Sequence, residues 1–288
     1  MEHDPASVDI ASPPDTPLGS GIKGAHTITG DVRLHERFHS RFLPQDRTIA
    51  VYLPPGYDPT SRRRYPVLYL HDGQNLFDRA TSFGEEWQVD ETAQSLIACG
   101  EIDPLIVVGI YNTGDNRVDE YTPTRHPATE RGGRAGDYGR MMVDELKPFI
   151  DRRYNTLPAG SHTAVGGSSL GGLLTLYLGL EYPDTFTRLA ALSPSVWWDE
   201  CVILRRVGAL EGQLPVRIWL DAGTAEGQGT IENVRALRDA LVAKGWTIGD
   251  DLAYVEASGG EHNEVSWAAR FADVLKFLFP PGALSDAS

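Results

Sequence analysis

Seven short runs rich in β-branched and aromatic residues, with helical patterns between them, constrain this chain most. Several of these runs are almost continuously apolar, which is typical of strands buried on both faces of a parallel sheet. The predicted strands are Thr48 to Leu53, Val67 to Leu70, Leu105 to Ile110, Thr163 to Val165, Leu189 to Leu192, Val216 to Leu220 and Leu252 to Val255. The predicted helices are Trp87 to Ala98, Tyr138 to Tyr154, Leu173 to Leu180, Ile231 to Lys244 and Val265 to Phe279. Alternating strands and helices predict an α/β fold with a doubly wound, mostly parallel sheet flanked by helices.

The domain organisation follows from length and from the N-terminal composition. With 288 residues, 41% of them hydrophobic, the chain can build one large core, and we expect a single domain over residues 26–288. Residues 1–25 are acidic and proline-rich and lack the basic and apolar regions of a secretory signal. We therefore predict a flexible leader and a cytoplasmic protein. No apolar run approaches the roughly 18 residues that a membrane-spanning helix needs.

Charge and cysteine content limit the partners. The formal net charge is −14, which disfavours nucleic acid because its phosphates would be repelled. Cys99 and Cys201 are the two cysteines, and their spacing predicts neither a metal site nor a disulfide framework. We expect no cofactor and no metal, and a small molecule as the substrate. The sequence leaves the oligomeric state open.

Two motif matches are interpreted as structural. His35 to His39 fits the H-E-x-x-H zinc signature, but Val32, Leu34 and Phe38 repeat with a period of two, which predicts an edge strand on which Glu36 would face away from both histidines. Gly19 to Gly24 fits the dinucleotide pattern G-x-G-x-x-G, but it follows the proline-rich leader and not a strand.

The strongest catalytic signal is a glycine-flanked serine between a predicted strand and a predicted helix. Gly167-Ser168-Ser169-Leu170-Gly171 fits G-x-S-x-G, and a nucleophile elbow requires a strand, a tight strained turn and a helix in that order. The glycines belong where a side chain would block the turn. This context predicts Ser169 as a nucleophile near the positive end of a helix dipole.

A serine nucleophile needs a base, and the base needs an acid that orients it. Of the eight histidines, His262 follows the last strand and precedes the last helix, as the order Ser…Asp/Glu…His demands. Two carboxylates, Asp221 and Glu226, fall at the carboxyl end of the strand from Val216 to Leu220. Either could be the acid, and either could instead hold the loop through its amides.

Taken together, the motifs of this chain resemble those of the α/β-hydrolase esterase family. That family includes siderophore esterases, feruloyl and acetyl xylan esterases, S-formylglutathione hydrolases and mycolyltransferases. The resemblance covers most of the chain from about Arg47 onwards. The similar stretches are Val51 to Tyr57, Tyr65 to Phe77, Gly166 to Gly172, Ser193 to Trp198, Gly223 to Glu226 and Gly260 to Asn263. It implies the α/β-hydrolase fold, a triad of Ser169, Glu226 and His262, and therefore Glu226 in preference to Asp221.

The resemblance also implies an oxyanion hole. The turn His71-Asp72-Gly73-Gln74 follows a core strand, so the amide of Gln74 is one expected donor and the amide of Leu170, next to the nucleophile, is the other. As substrate-binding residues we expect Trp197 or Trp198, with at least one of the two rings in the core. Arg117 is a further candidate, since it could clamp a carboxylate or hydroxyl; an ion pair with Asp119 or Glu120 is the alternative.

The predicted function is hydrolysis of a small carboxylic ester, such as a short acylated sugar or a siderophore-type ester, through an acyl-enzyme. The same site could serve an acyltransferase that uses an alcohol in place of water. An inactive relative that only binds ligands is the alternative from another class, against which the intact Ser169, His262 and Glu226 argue.

Overall fold

A nine-stranded sheet forms the centre of the molecule. The computed structural model describes residues 16–17 and 25–282, so the predicted leader and the glycine motif at 19–24 lie almost entirely outside the described residues. The strands are β1 (Thr16–Pro17), β2 (Asp31–Phe38), β3 (Arg47–Leu53), β4 (Val67–His71), β5 (Ile106–Ile110), β6 (Thr163–Ser168), β7 (Arg188–Leu192), β8 (Arg217–Gly223) and β9 (Leu252–Ala257). Their order in the sheet is β1-β2-β3-β5-β4-β6-β7-β8-β9.

Six of these strands, from β5 to β9 in sheet order, run parallel, and β1 to β3 extend the β5 side in antiparallel pairing. The predicted doubly wound, mostly parallel sheet is confirmed. All seven predicted strands are present, but β6 and β8 continue up to three residues further than the apolar runs. Their last residues are small or acidic, and they stay in the sheet because neighbours pair with them, as Gly166 does with Ala190 and Gly223 with Ala257.

Helices cover both faces of the sheet. They are α1 (Val89–Ala98), α2 (Arg117–Tyr121), α3 (Ala135–Arg140), α4 (Lys147–Arg153), α5 (Leu170–Glu181), α6 (Trp198–Gly208), α7 (Gln228–Ala243) and α8 (Glu264–Leu278). A π-helical stretch, Met141–Leu146, joins α3 to α4, where the sequence predicts one continuous helix. The sequence patterns predict neither α2, which has five residues, nor α6, in which Asp199 to Cys201 have positive φ angles.

Two apolar cores lie on opposite faces of the sheet. The larger contains Leu173 and Leu174 of α5, Ile203 of α6 and Leu237 of α7. The smaller contains residues of α1 and α8, among them Phe271. Between residues 25 and 282, no helix combines the length and the apolar character needed to cross a bilayer.

The histidine pair that matches the zinc signature lies at the end of β2, as the period-two pattern predicts. His35 is buried and its Nε2 lies 2.7 Å from the Tyr154 hydroxyl, while the exposed His39 lies 2.9 Å from Asp46. The strand prediction is therefore confirmed, but β2 is not the edge, because β1 pairs with it through Thr16 and Pro17.

Candidate active site

The turn between β6 and α5 carries Ser169 in a strained conformation, with φ 57° and ψ −120°. Only a tight turn forces such a backbone on a residue with a side chain. The flanking glycines make it possible, since a Cβ on Gly172 would lie 3.0 Å from the Leu192 carbonyl oxygen, and one on Gly167 would lie 3.0 Å from the His71 ring. The chain thus leaves the sheet and enters the helix in one residue, at the carboxyl ends of the strands.

The Ser169 side chain is partly exposed, and its hydroxyl lies 3.4 Å from the hydroxyl of Ser195. The Ser169 amide donates to the Leu192 carbonyl and its own carbonyl accepts from the Ser195 amide, so the turn is tied to the chain that follows β7. In the described structure, Ser169 and His262 line the same cleft but are not hydrogen-bonded to each other. Catalytic hydrogen bonds are often long in the absence of substrate.

His262 lies in the loop between β9 and α8, and its Nδ1 is 2.8 Å from Oε2 of Glu226. The side chain of Glu226 is fully buried, whereas 41% of the His262 side chain is exposed. The imidazole packs against Trp267 in a T-shaped contact, with ring centroids 5.0 Å apart at 83°. The side chain of Asn263 caps α8 by accepting from the Ser266 amide. The ring is thus held from two sides while part of it reaches the cleft.

The Glu226 carboxylate is held in place by further donors. Its Oε1 accepts from the Ser193 hydroxyl at 2.5 Å and from the Gly223 amide at 2.6 Å. Burial alone would raise the pKa of Glu226, but the hydrogen bonds from His262, Ser193 and Gly223 outweigh it and hold the pKa below its usual value. Glu226 is therefore ionised at neutral pH and suited to orient an imidazole.

Asp221, the other candidate acid, faces a different partner. Arg270 donates to both of its carboxylate oxygens at 3.0 and 3.1 Å, and the Trp219 indole donates at 2.8 Å. The same Arg270 and the Trp267 indole donate to the Ser193 hydroxyl at 3.0 Å. Asp221 therefore acts on Glu226 through other residues. It binds Arg270, which donates to the Ser193 hydroxyl, and that hydroxyl donates to Glu226.

The opposite wall of the cleft is the turn after β4. Asp72 has a left-handed backbone, with φ 56°, and accepts from Arg117 through two bonds of 2.7 Å and from Asn112 at 2.7 Å. Burial alone would raise the pKa of Asp72, but Arg117 and Asn112 lower it below the usual value. A Cβ on Gly73 would lie 2.5 Å from the backbone of Gly109, so the turn needs glycine to pack against β5.

Gln74 follows in this turn, and its carbonyl accepts from the Thr81 hydroxyl at 2.6 Å. Gln74 and Ser169 line the same cleft. Leu170 is the first residue of α5, and the first amides of a helix have no intrahelical acceptor. The two amides expected to form the oxyanion hole thus belong to the turn after β4 and to the residue that follows Ser169 at the start of α5.

Arg117 lines the cleft, but its partner is not the one expected. The predicted alternative, an ion pair with Asp119 or Glu120, is wrong: Arg117 pairs with Asp72. Asp119 pairs with Arg131 and Glu120 with Arg47. These partners lie far away in sequence, so spacing along the chain could not reveal them.

The two tryptophans after β7 lie apart from the cleft lining. Trp198 is buried and its indole donates to the Thr124 carbonyl at 3.1 Å, which confirms that at least one of the rings is core. Trp197 is 53% exposed and packs against Trp198, with ring centroids 5.8 Å apart. Neither lies among the residues that surround Ser169 in the cleft, so their substrate role has no support in this geometry.

The cleft has a volume of about 650 Å³ and is lined by four aromatic side chains that the sequence motifs do not indicate. They are Phe83, Trp87, Tyr111 and Trp267. Phe83 is 93% exposed. In the sequence, Phe83 and Trp87 follow the predicted oxyanion turn closely, nine and thirteen residues after Gln74. Only the folded chain shows that they border the same space as Ser169.

Comparison with known proteins adds to this geometry. The model of a family described as "Putative esterase" matches residues 40–278. The chain is 28% identical to the ferri-bacillibactin esterase BesA of Bacillus subtilis, over 88% of this chain and 92% of that protein. It is 31% identical to an endo-1,4-beta-xylanase/feruloyl esterase of Xylanibacter ruminicola, over 84% of this chain but 30% of that protein. The crystal structure of the BES protein from Bacillus cereus superimposes with a TM-score of 0.70 and 21% identity, over 91% and 99% of the two chains.

Proposed function

This chain belongs to the Putative esterase family and is a carboxylic ester hydrolase with the α/β-hydrolase fold, and we propose that Ser169, His262 and Glu226 are its catalytic triad. The contact of 2.8 Å between His262 Nδ1 and Glu226 carries the proposal. In this contact, Nδ1–H of His262 donates to the ionised carboxylate, which leaves Nε2 free to accept a proton. Ser169 borders the same cleft in the strained turn that exposes a nucleophile.

In the proposed first step, His262 Nε2 takes the hydroxyl proton of Ser169 as Oγ attacks the ester carbonyl. The step requires the Ser169 hydroxyl, which lies 3.4 Å from that of Ser195, to form a hydrogen bond with His262 instead. The tetrahedral intermediate collapses when His262 returns the proton to the leaving alcohol, and the acyl group stays on Ser169. A water activated by His262 then releases the acid.

The negative oxygen of the intermediate needs donors that are already in place. We assign this role to the amide of Leu170, next to the nucleophile, and to the amide of Gln74, in the turn after β4. One such donor is typically worth about 3–4 kcal/mol of transition-state stabilisation. The Asp72–Arg117 pair and the Thr81 hydroxyl hold the Gln74 turn in position.

The lining of the cleft favours a small ester whose acyl part is aromatic. Phe83, Trp87 and Trp267 offer ring faces and edges, on which aromatic groups pack favourably. The name of one relative, a feruloyl esterase, agrees with that class of ester. Arg117 has three N–H groups beyond the two that Asp72 accepts, and these are suited to a substrate hydroxyl or carboxylate.

The test is hydrolysis of p-nitrophenyl acetate and of a p-nitrophenyl ester with an aromatic acyl group. We expect Ser169→Ala to reduce kcat by about 10⁴-fold or more, to background, because the nucleophile is lost. Ser195→Ala is the matched control, since it removes the neighbouring hydroxyl and leaves the triad intact. A fluorophosphonate probe should label wild type and the Ser195 variant, and not the Ser169 variant.

Equal activity of wild type and Ser169→Ala would refute the nucleophile. Formation of a glycerol ester from added glycerol, in place of free acid, would instead indicate an acyltransferase. Absence of both labelling and turnover in the folded wild type would favour a binding protein.

A further inference from the structure

The cleft contains one carboxylate that no positive charge compensates. Apart from His262, the acidic and basic side chains among the described residues that line the cleft are Asp72, Arg117 and Glu264. Arg117 is bound to Asp72 through two contacts of 2.7 Å. In the described part of the chain, no basic side chain forms an ion pair with Glu264. One positive charge therefore faces two negative charges, and the lining of the cleft is acidic.

The side chain of Glu264 is held through one of its two oxygens. Glu264 is the first residue of α8, two positions after His262. Its Oε1 accepts from the side-chain amide of Asn75 at 3.3 Å, and the buried Asn75 in turn accepts from the Phe83 amide at 3.0 Å. Its Oε2 has no hydrogen-bond partner among the described residues and lies 4.0 Å from where a Cβ on Gly84 would be. One oxygen is thus fixed, and the other remains available beside the segment that carries Phe83.

Aromatic side chains accompany Glu264 in the cleft. Phe83 precedes Gly84, the residue beside Oε2. Trp267 follows Glu264 by three positions on α8, a spacing that puts two side chains on the same face of a helix. Trp87 packs against Trp267, with ring centroids 5.9 Å apart. The faces of aromatic rings attract cations, so an uncompensated carboxylate next to several rings is suited to bind an ammonium group.

The charge of Glu264 also acts on Arg117. Burial would lower the pKa of Arg117, but Asp72 raises it above the ordinary value, with smaller contributions from Tyr121 and Glu264. Arg117 thus interacts with two carboxylates, and its single charge cannot neutralise both. It can still donate to a neutral hydroxyl of a substrate. A substrate carboxylate, in contrast, would be repelled by Glu264 as it approached.

We propose that the cleft takes esters whose acyl part carries an ammonium group, and that Glu264 is the specificity-determining residue that binds this group. The inference rests on the proposed function, since Ser169 must attack the ester that Glu264 holds. The ammonium group donates to Oε2 of Glu264, and its charge lies against the aromatic rings of the cleft. The net charge of −14 attracts a cationic ester at longer range as well.

The experiment compares p-nitrophenyl esters of phenylacetic acid that differ only in the para substituent of the acyl ring: hydrogen, a cationic aminomethyl group or an anionic carboxylate. In wild type, kcat/KM should be at least about tenfold higher for the cationic ester than for the anionic one. Glu264→Gln should reduce this ratio by at least about fivefold, because it removes the charge and keeps the shape. Glu261→Gln, in the same loop but exposed and outside the cleft lining, should keep the ratio within about twofold.

Two further measurements separate binding from a purely structural role of Glu264. A carboxylate in the first turn also stabilises a helix, and loss of that effect alone would change kcat/KM equally for the three esters. Glu264→Asp keeps the charge and should still prefer the cationic ester. In wild type, raising NaCl from about 0.01 M to about 1 M shortens the Debye length from about 30 Å to about 3 Å. The ratio should then fall at least about threefold, a test that needs no variant.

A wild-type ratio near one, or an unchanged ratio in Glu264→Gln, would overturn the assignment of Glu264. Preference for the anionic ester would overturn it too and would favour Arg117 as the residue that determines specificity. The primary amides of the same acids lack a good leaving group, so calorimetric titration with them measures the charge preference without hydrolysis. Failure of Ser169 as nucleophile would leave this preference intact, whereas equal affinity for the cationic and anionic amides would refute the inference even in an active esterase.

Discussion

Each wall of the cleft is backed by an aspartate–arginine pair, and the two pairs differ in their access to the substrate. The inner pair, Asp221–Arg270, lies behind Glu226 with side-chain exposures of 0% and 7%. The outer pair, Asp72–Arg117, lies beside Gln74 with exposures of 12% and 26%, and both of its residues line the cleft. Both pairs form two N–H···O contacts.

The same kind of aspartate–arginine pair serves a different purpose in each place. The inner pair fixes Ser193, whose hydroxyl donates to Glu226, so it controls the position of a side chain. The outer pair fixes the turn that carries Gln74, so it controls the position of a backbone amide. Only the outer pair can also meet a ligand, because only its residues reach the cleft.

The largest expected effect distinguishes the proposed triad acid, Glu226, from the other carboxylate, Asp221. We expect Glu226→Gln to lower kcat by about 10³–10⁴-fold, because the imidazole loses the charge that orients and stabilises it. Asp221→Asn should cost stability while the folded fraction keeps activity to within about tenfold. Esterase kinetics and urea denaturation on both variants measure this. A loss of kcat in Asp221→Asn as large as that in Glu226→Gln would contradict the assignment.

The inner pair should be the more important for stability. Arg270→Met leaves Asp221 buried without its partner, and breaking a buried pair in this way typically costs about 3–5 kcal/mol. The free energy of unfolding from urea titration measures it. Arg235→Gln is the control, since it breaks an exposed pair with Glu256 and should change the free energy of unfolding far less. Equal losses in the two variants would mean that burial does not distinguish them.

For the outer pair we expect a smaller loss of stability and an additional effect on the substrate. Arg117→Met should destabilise the protein by about 2–3 kcal/mol, because water partly screens the Asp72 charge that remains. It should also raise KM for esters that carry a hydroxyl or carboxylate, more than for p-nitrophenyl acetate. An equal change in KM for both kinds of ester would leave Arg117 with a positioning role only.

The smallest effect concerns acid pH. The pKa of Asp72 is lowered in the folded protein, so its ion pair contributes stability above the unfolded-state pKa of about 3.9 and loses it as pH falls through the folded-state value. Between pH 5 and pH 3, the unfolding free energy of Arg117→Met should therefore decrease less steeply than that of wild type. Arg79→Gln, which breaks an exposed pair, should follow the wild-type slope. Parallel slopes for wild type and Arg117→Met would contradict the lowered pKa.

Local sequence patterns were sufficient to predict the strands of the central sheet and the loops that carry Ser169 and His262. Continuous apolar runs identified every strand from β3 to β9. Most residues of β3 to β8 are buried, whereas β9, at the end of the sheet, is only partly buried. The glycines around Ser169 identified the turn after β6, where a Cβ on Gly167 or Gly172 would lie 3.0 Å from neighbouring atoms. The order of the chain placed His262 in the loop before α8. These features depend on neighbours in sequence, and the sequence therefore contains them.

Tertiary packing decided what neighbours in sequence cannot show. Asp221 and Glu226 are five positions apart and both follow the same apolar run, yet one faces Arg270 of α8 and the other faces His262. Arg117 finds Asp72 and not its neighbours Asp119 or Glu120, and the cleft is lined by Trp87 and Trp267 and not by Trp197 or Trp198. The physical reason is that charge pairing and cleft lining are set by the distance between side chains from different elements. Those distances exist only once the helices have packed on the sheet.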